Sequence, residues 1–127
     1  MPLEDVAAAC LAADRGLAGA FDVPGFAAHL RRAVDAELLA AVEDDDRVRG
    51  TAAAALVGTD ATIYLVSADP AWRGRGVASV LTARVAARAT ERGAALVSLE
   101  ASEQGHRLYE RLAFRAAVTM RPWLRTR

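Results

Sequence analysis

The stretch ATIYLVSADPAWRGRGVASVLTARVAARAT, residues 61–90, decides how the rest of the sequence is read. Ala61 to Ser67 gather Thr, Ile, Tyr and Val into a short apolar run, with Gly58-Thr59-Asp60 before it and Asp69-Pro70 after it. That pattern predicts a strand buried on at least one face. Arg73-Gly74-Arg75-Gly76 then makes a compact turn, and a helical pattern starts at once. Val77, Leu81 and Val85 recur every four residues, Arg84, Arg88 and Arg92 hold the other side, and Gly93 stands where the helix should stop. Two glycines and two arginines therefore meet where a strand ends and a helix begins.

The opening amides of a helix lack internal partners, and the aligned peptide dipoles put about half a positive charge there. Glycine lets an anion approach bare backbone, and Arg73 and Arg75 add full charges beside it, which suits a phosphate or pyrophosphate. The plainer alternative is a turn that merely joins strand to helix. Among anion cradles, a Walker loop is excluded, because no Lys follows the last glycine. A dinucleotide fingerprint would read Gly74-x-Gly76-x-x-Ser79, with Glu100 near the place of a ribose-binding acid. Against it, Asp69 to Trp72 separate strand from glycines, and Ser79 replaces the third glycine.

Arg73-Gly74-Arg75-Gly76-Val77-Ala78 resembles the Q/R-x-x-G-x-G/A motif of the GNAT N-acetyltransferase superfamily. Downstream, Leu108-Tyr109-Glu110-Arg111-Leu112-Ala113-Phe114 resembles that family's L-Y-E-x-L-G-F signature. The two motifs stand in the family's order, and the likeness runs over residues 47 to 120. It implies an α/β fold with a mixed, mostly antiparallel sheet flanked by helices, its central strands splayed apart. The family's first strand is not visible before the first helix, so the sheet is expected to start one strand short or to have its edge covered by a second copy in a homodimer.

The same resemblance implies acetyl-CoA as co-substrate and an amine as acceptor. The main chain of Val66, Ser67 and Ala68 would hold the pantetheine arm, and Arg73, Gly74, Arg75, Gly76, Val77, Ala78 and Ser79 the pyrophosphate. Tyr109 occupies the position from which the family's tyrosine protonates the departing sulfur. The implied reaction is direct attack, in a ternary complex, of a primary amine of a small molecule or peptide on the thioester carbonyl. Residues 61–66 lack the Glu that many members carry there, so Glu100 is the candidate base, directly or through water, with His106 behind it. Ser102 stands near the place of the family's usual Asn, and Ala113 where Gly is usual. The missing strand Glu keeps open a second class, a non-catalytic acyl-CoA-binding or regulatory domain. A toxin acting on aminoacyl-tRNA is a further reading that the basic second half permits.

Composition sets the outer bounds. The 127 residues fit one domain over 1–127, and their 54% hydrophobic content is rich in Ala. Residues 1–69 hold 5 Arg and 12 acids, while residues 70–127 hold 11 Arg and 4 acids, so a net charge of zero divides into −7 and +7. So acidic a first half argues against a nucleic-acid grip and suits an anionic ligand on one side and a cationic one on the other. No run is long enough to span a membrane, and Glu4 and Asp5 stand where a signal peptide would be basic, so the expected location is the cytoplasm. Cys10 has no second cysteine, and His29 and His106 are not spaced as a metal pair, so no metal is expected.

Along the chain, Met1 to Ala18 read as a first helix weakened by Gly16 and Gly19. Pro24-Gly25 punctuates, and Phe26, Leu30 and Val34 space a second. Glu37 to Val42 and Arg47 to Val57 read as a hairpin around the acidic turn Glu43 to Asp46, which would also steer a basic acceptor. Ala95 to Ala101 form the next strand, Ser102 caps a helix through Arg111, and Phe114 to Met120 make a last strand before the fraying Arg125 to Arg127.

Overall fold

A computed structural model describes residues 2–125. Three helices come first. In α1 (Leu3–Ala13), Val6, Ala7 and Cys10 form the buried stripe, and Glu4 and Asp5 meet the positive end of the dipole. The helix expected from Met1 to Ala18 breaks at Asp14, whose backbone is extended and whose carboxylate accepts the Leu17 amide at 3.2 Å in α2 (Arg15–Ala20). Met1 lies outside the described residues. Helix α3 (Val23–Ala33) starts earlier than its apolar spacing implied. Asp22 caps it by accepting the Gly25 amide at 2.7 Å, so Pro24 and Gly25 belong to its first turn, where a missing N–H costs nothing.

Four strands follow in the order β1 (Leu39–Asp44), β2 (Arg47–Val57), β3 (Asp60–Ala68) and β4 (Leu96–Leu99). The first three pair antiparallel and β4 runs parallel to β3, with α4 (Val77–Glu91) as the crossover. The expected strand at Glu37 begins later, because Asp35 accepts the Glu37 amide at 2.9 Å and winds Ala36–Leu38 into a single tight turn. At the hairpin tip Asp45 and Asp46 both take positive φ, 49° and 60°, the conformation that a two-residue turn requires.

The sheet is covered on both faces. Leu38, Ala52, Ala54, Ala61 and Ile63 pack with Val77, Leu81, Val85 and Ala89 of α4, while Val6, Cys10, Phe26 and Leu30 form a second cluster from α1 and α3 with Leu39 and Leu65 against it. This explains why the helix-favouring run Ala52–Ala55 is a strand. A central strand between two helical layers needs small side chains on both faces, and that packing outweighs propensity. Gly50 carries the same logic further, since a Cβ there would collide with the Val77 side chain and meet the Ser67 carbonyl at 3.0 Å.

One expected element is missing. Residues 114–125 form no strand, and Val118, Met120, Trp123 and Leu124 are exposed. Phe114 turns back to donate its amide to the Tyr109 carbonyl at 3.0 Å, and the residues after it make no ladder with the open edge of β4. Thr126 and Arg127, expected to fray, lie outside the described residues. Among the described residues, no helix is long and apolar enough to cross a membrane.

Candidate functional site

The site expected from sequence lies where β3 and β4 part. Their pairing runs from Asp60↔Leu96 to Ile63↔Leu99 and stops. β3 continues through Tyr64 to Ala68, where Ser67 and Ala68 pair with β2, Val66 lies in a break of that register, and none of the three pairs with a strand on the other side. The chain then enters the Asp69–Gly76 loop at the foot of α4.

That loop is built from its first residue. Asp69 donates its amide to the Arg49 carbonyl at 2.7 Å, and its carboxylate accepts the Ala71 amide at 2.9 Å and the Arg49 guanidinium at 2.9 Å. The Ala71 amide first, and Arg49 second, hold the Asp69 carboxyl below the usual carboxylate range. Pro70–Trp72 complete a tight turn, and two guanidinium groups lie over the Trp72 ring, Arg75 at 4.7 Å and Arg49 at 5.4 Å from its centroid. Gly74 and Gly76 take φ of 79° and 78°, a region that costs other residues about 1–2 kcal/mol, and no atom lies near enough to crowd an added Cβ. Gly76 ends the turn as the cap of α4 without a side chain to fill the capping role.

The consequence is a set of bare donors. The first helical bond at this end runs from the Val80 amide to the Gly76 carbonyl, and among the described residues none of the amides of Arg73 to Ser79 has an acceptor. Arg73 and Arg75 are exposed beside them. Backbone N–H groups and the positive end of the α4 dipole thus meet at one spot with Arg73 and Arg75 next to it in the chain, a set that can hold an anion of diphosphate type. These residues fit the coenzyme end of an acyl-CoA. Arg49 was not legible as a brace of this loop, because it reaches Asp69 and Trp72 from the neighbouring strand β2.

The remaining candidates are less gathered. Tyr109 lies on α5 (His106–Arg111), half-buried and edge-on to Phe114, with centroids 6.1 Å apart. Among the described residues its hydroxyl has no partner, and burial pushes its phenol up. Ala113 ends α5 at φ 68°, with its amide on the Glu110 carbonyl, which explains why glycine would be the easier residue there. Glu100 is the first residue past the last paired position, where the strands part, and it is exposed with no ion-pair partner among the described residues. His106 is exposed at the start of α5. Ser102 precedes the turn Glu103–Gly105, but its hydroxyl makes no capping bond, and only its carbonyl accepts the Gly105 amide at 3.0 Å.

Comparison with known proteins bears on this geometry. The family model described as acetyltransferase (GNAT) family matches residues 11–114. No curated protein matches the chain. Among solved structures, an acetyltransferase of Trypanosoma brucei is similar at 24% identity over 97% of this chain and 93% of its own, with a TM-score of 0.70. A predicted acetyltransferase of Clostridium acetobutylicum, solved with acetyl-CoA, is similar at 20% identity over 100% and 92%, TM-score 0.70. An aminoglycoside N-acetyltransferase in complex with CoA is similar at 19% identity over 97% and 88%, TM-score 0.74. At these identities the likeness speaks for the fold: helices on both faces of a mixed sheet. The family match covers both motifs, and with it the chain belongs to the acetyltransferase (GNAT) family.

Proposed function

We propose that this chain transfers an acetyl group from acetyl-CoA to a primary amine of a small molecule or peptide, by direct attack in a ternary complex. The observation that carries this reading is the row of unpartnered amides from Arg73 to Ser79 beside the parted strands. The diphosphate would rest on those amides with Arg73 and Arg75 alongside. The pantetheine arm would take up the free edge of Val66 to Ala68 as an added strand does. That alignment brings the thioester to the gap between β3 and β4. Attack there needs an unprotonated amine, a donor for the oxyanion and a proton for the leaving thiolate. Tyr109 is the proposed acid, because burial keeps its phenol protonated and its hydroxyl is uncommitted. Glu100, at the mouth of the gap, is the proposed base, directly or through water, and Ser102 a further coenzyme contact.

A second reading, a domain that binds acyl-CoA without turning it over, is favoured by one observation: β3 carries no carboxylate between Ala61 and Ala68. Release of free thiol from acetyl-CoA across a panel of amines separates the two. Amine-dependent release supports the enzyme, and tight acetyl-CoA binding with no release for any amine supports the binder.

A further inference from the structure

Four non-glycine residues have positive φ among the described residues. Asp45 and Asp46 make the hairpin turn and Ala113 ends α5, but Leu65, at φ 55°, lies inside a strand. It marks a bulge. The β2–β3 register passes from Thr51↔Ser67 to Ala53↔Tyr64, so Ala52 alone faces Leu65 and Val66. A leucine in this region is strained, and such a residue persists only where its surroundings hold it there.

What holds it is a buried polar cluster. Thr51, fully buried, donates its hydroxyl to the Leu65 carbonyl at 2.7 Å. That uses its single proton, so the contacts from Ser67 Oγ at 2.7 Å and Cys10 Sγ at 3.5 Å are ones in which Thr51 accepts. One hydroxyl thus ties α1, β2 and both sides of the bulge. In a trans peptide the carbonyl and the following N–H point in opposite directions. With the Leu65 carbonyl turned to the Thr51 hydroxyl, the Val66 N–H points to the opposite side of that peptide, away from the hydroxyl.

We propose that Thr51 is a positioning residue for acyl transfer: its hydroxyl holds the Leu65 peptide so that the Val66 N–H is presented to the thioester oxygen between the parted strands. This rests on the acetyl-CoA reading above, and the two are tested separately. Thr51→Val keeps the shape and removes the hydroxyl, while Thr51→Ser keeps the hydroxyl. Without ligand, NMR of the Leu65 carbonyl and Val66 amide should show both resonances displaced in T51V and near their wild-type places in T51S. In turnover, T51V should lose about 10- to 100-fold in kcat, somewhat less than deleting an oxyanion donor outright, with KM for acetyl-CoA within about threefold and most of kcat restored in T51S. Unmoved resonances in T51V, or equal loss of kcat in T51V and T51S, would overturn the proposal. Failure of the wild-type protein to bind acetyl-CoA would remove the acyl-transfer role along with the function proposed above, while the NMR arm would still decide whether Thr51 holds the peptide.

Discussion

Tyr109 shows how little a side chain needs in order to be placed for acid catalysis. It sits on a six-residue helix, packs its edge on Phe114 and keeps its hydroxyl free among the described residues. Burial disfavours the phenolate, so the group remains a proton donor above the ordinary tyrosine value of about 10. Tyr109→Phe removes only the oxygen. It should lower kcat by about 10²–10⁴-fold in steady-state assays while acetyl-CoA binds as before. If Tyr109 is the acid, its limb in the kcat–pH profile lies above about pH 10. A phenylalanine variant with wild-type turnover would return Tyr109 to the ordinary role of a half-buried helix residue.

At the scale of elements, the fold depends on how closely α4 lies on the sheet. Gly50 faces Val77 and Leu81, so the start of α4, and with it the Gly76 cap, is set by the absence of one side chain on β2. Gly50→Ala should cost about 1–3 kcal/mol in denaturant unfolding, because the helix or the strand must shift to admit the methyl group. It should also weaken acetyl-CoA binding, since the amides of Val77 to Ser79 move with the helix end. The elements that could be read from sequence were those defined by local signals. Val77, Leu81 and Val85 announce α4, Arg92-Gly93 its end, and the acidic run Glu43 to Asp46 a turn, of which Glu43 and Asp44 in fact belong to β1 and Asp45 and Asp46 make the turn. Elements that depend on distant partners could not be read that way. Residues 114–120 suggest a strand by pattern but join no sheet edge, and the alanines of β2 become a strand only between two helical layers. The bulge is the clearest case. Nothing in the letters of Leu65 predicts a left-handed conformation, and the hydrogen bond to its carbonyl comes from Thr51 on a neighbouring strand. The turn at the foot of α4 was legible because Gly74 and Gly76 act through their own backbone, whereas the contact of Arg49 with Trp72 comes from another strand.

Across the whole molecule, three groups should make stability fall in alkali. Burial raises the Cys10 thiol, with the Thr51 and Ser67 hydrogen bonds opposing it in part. Burial also raises the phenols of Tyr64, with Asp35 adding to the effect, and of Tyr109. Each folded value lies above its unfolded one, so the stability these groups contribute is complete below the unfolded values and is lost as pH rises through the folded ones. The melting temperature should therefore decline from about pH 9 upward, and Cys10→Ala should flatten the first part of that decline. The charge of the chain is also divided on a large scale. An acidic first half and an all-arginine basic second half place the cations on the side of the sequence that contains the cradle.

The central claim is that bare amides at the foot of α4 grip the diphosphate of an acyl carrier. Thermal melting with acetyl-CoA, with CoA, and with S-acetyl pantetheine, which lacks the diphosphate, tests it most directly. At a hundredfold the dissociation constant, either coenzyme should stabilise the protein by about 2.7 kcal/mol, and the pantetheine thioester at the same concentration should do far less. A melting temperature unmoved by acetyl-CoA, or moved equally by the pantetheine thioester, would contradict it.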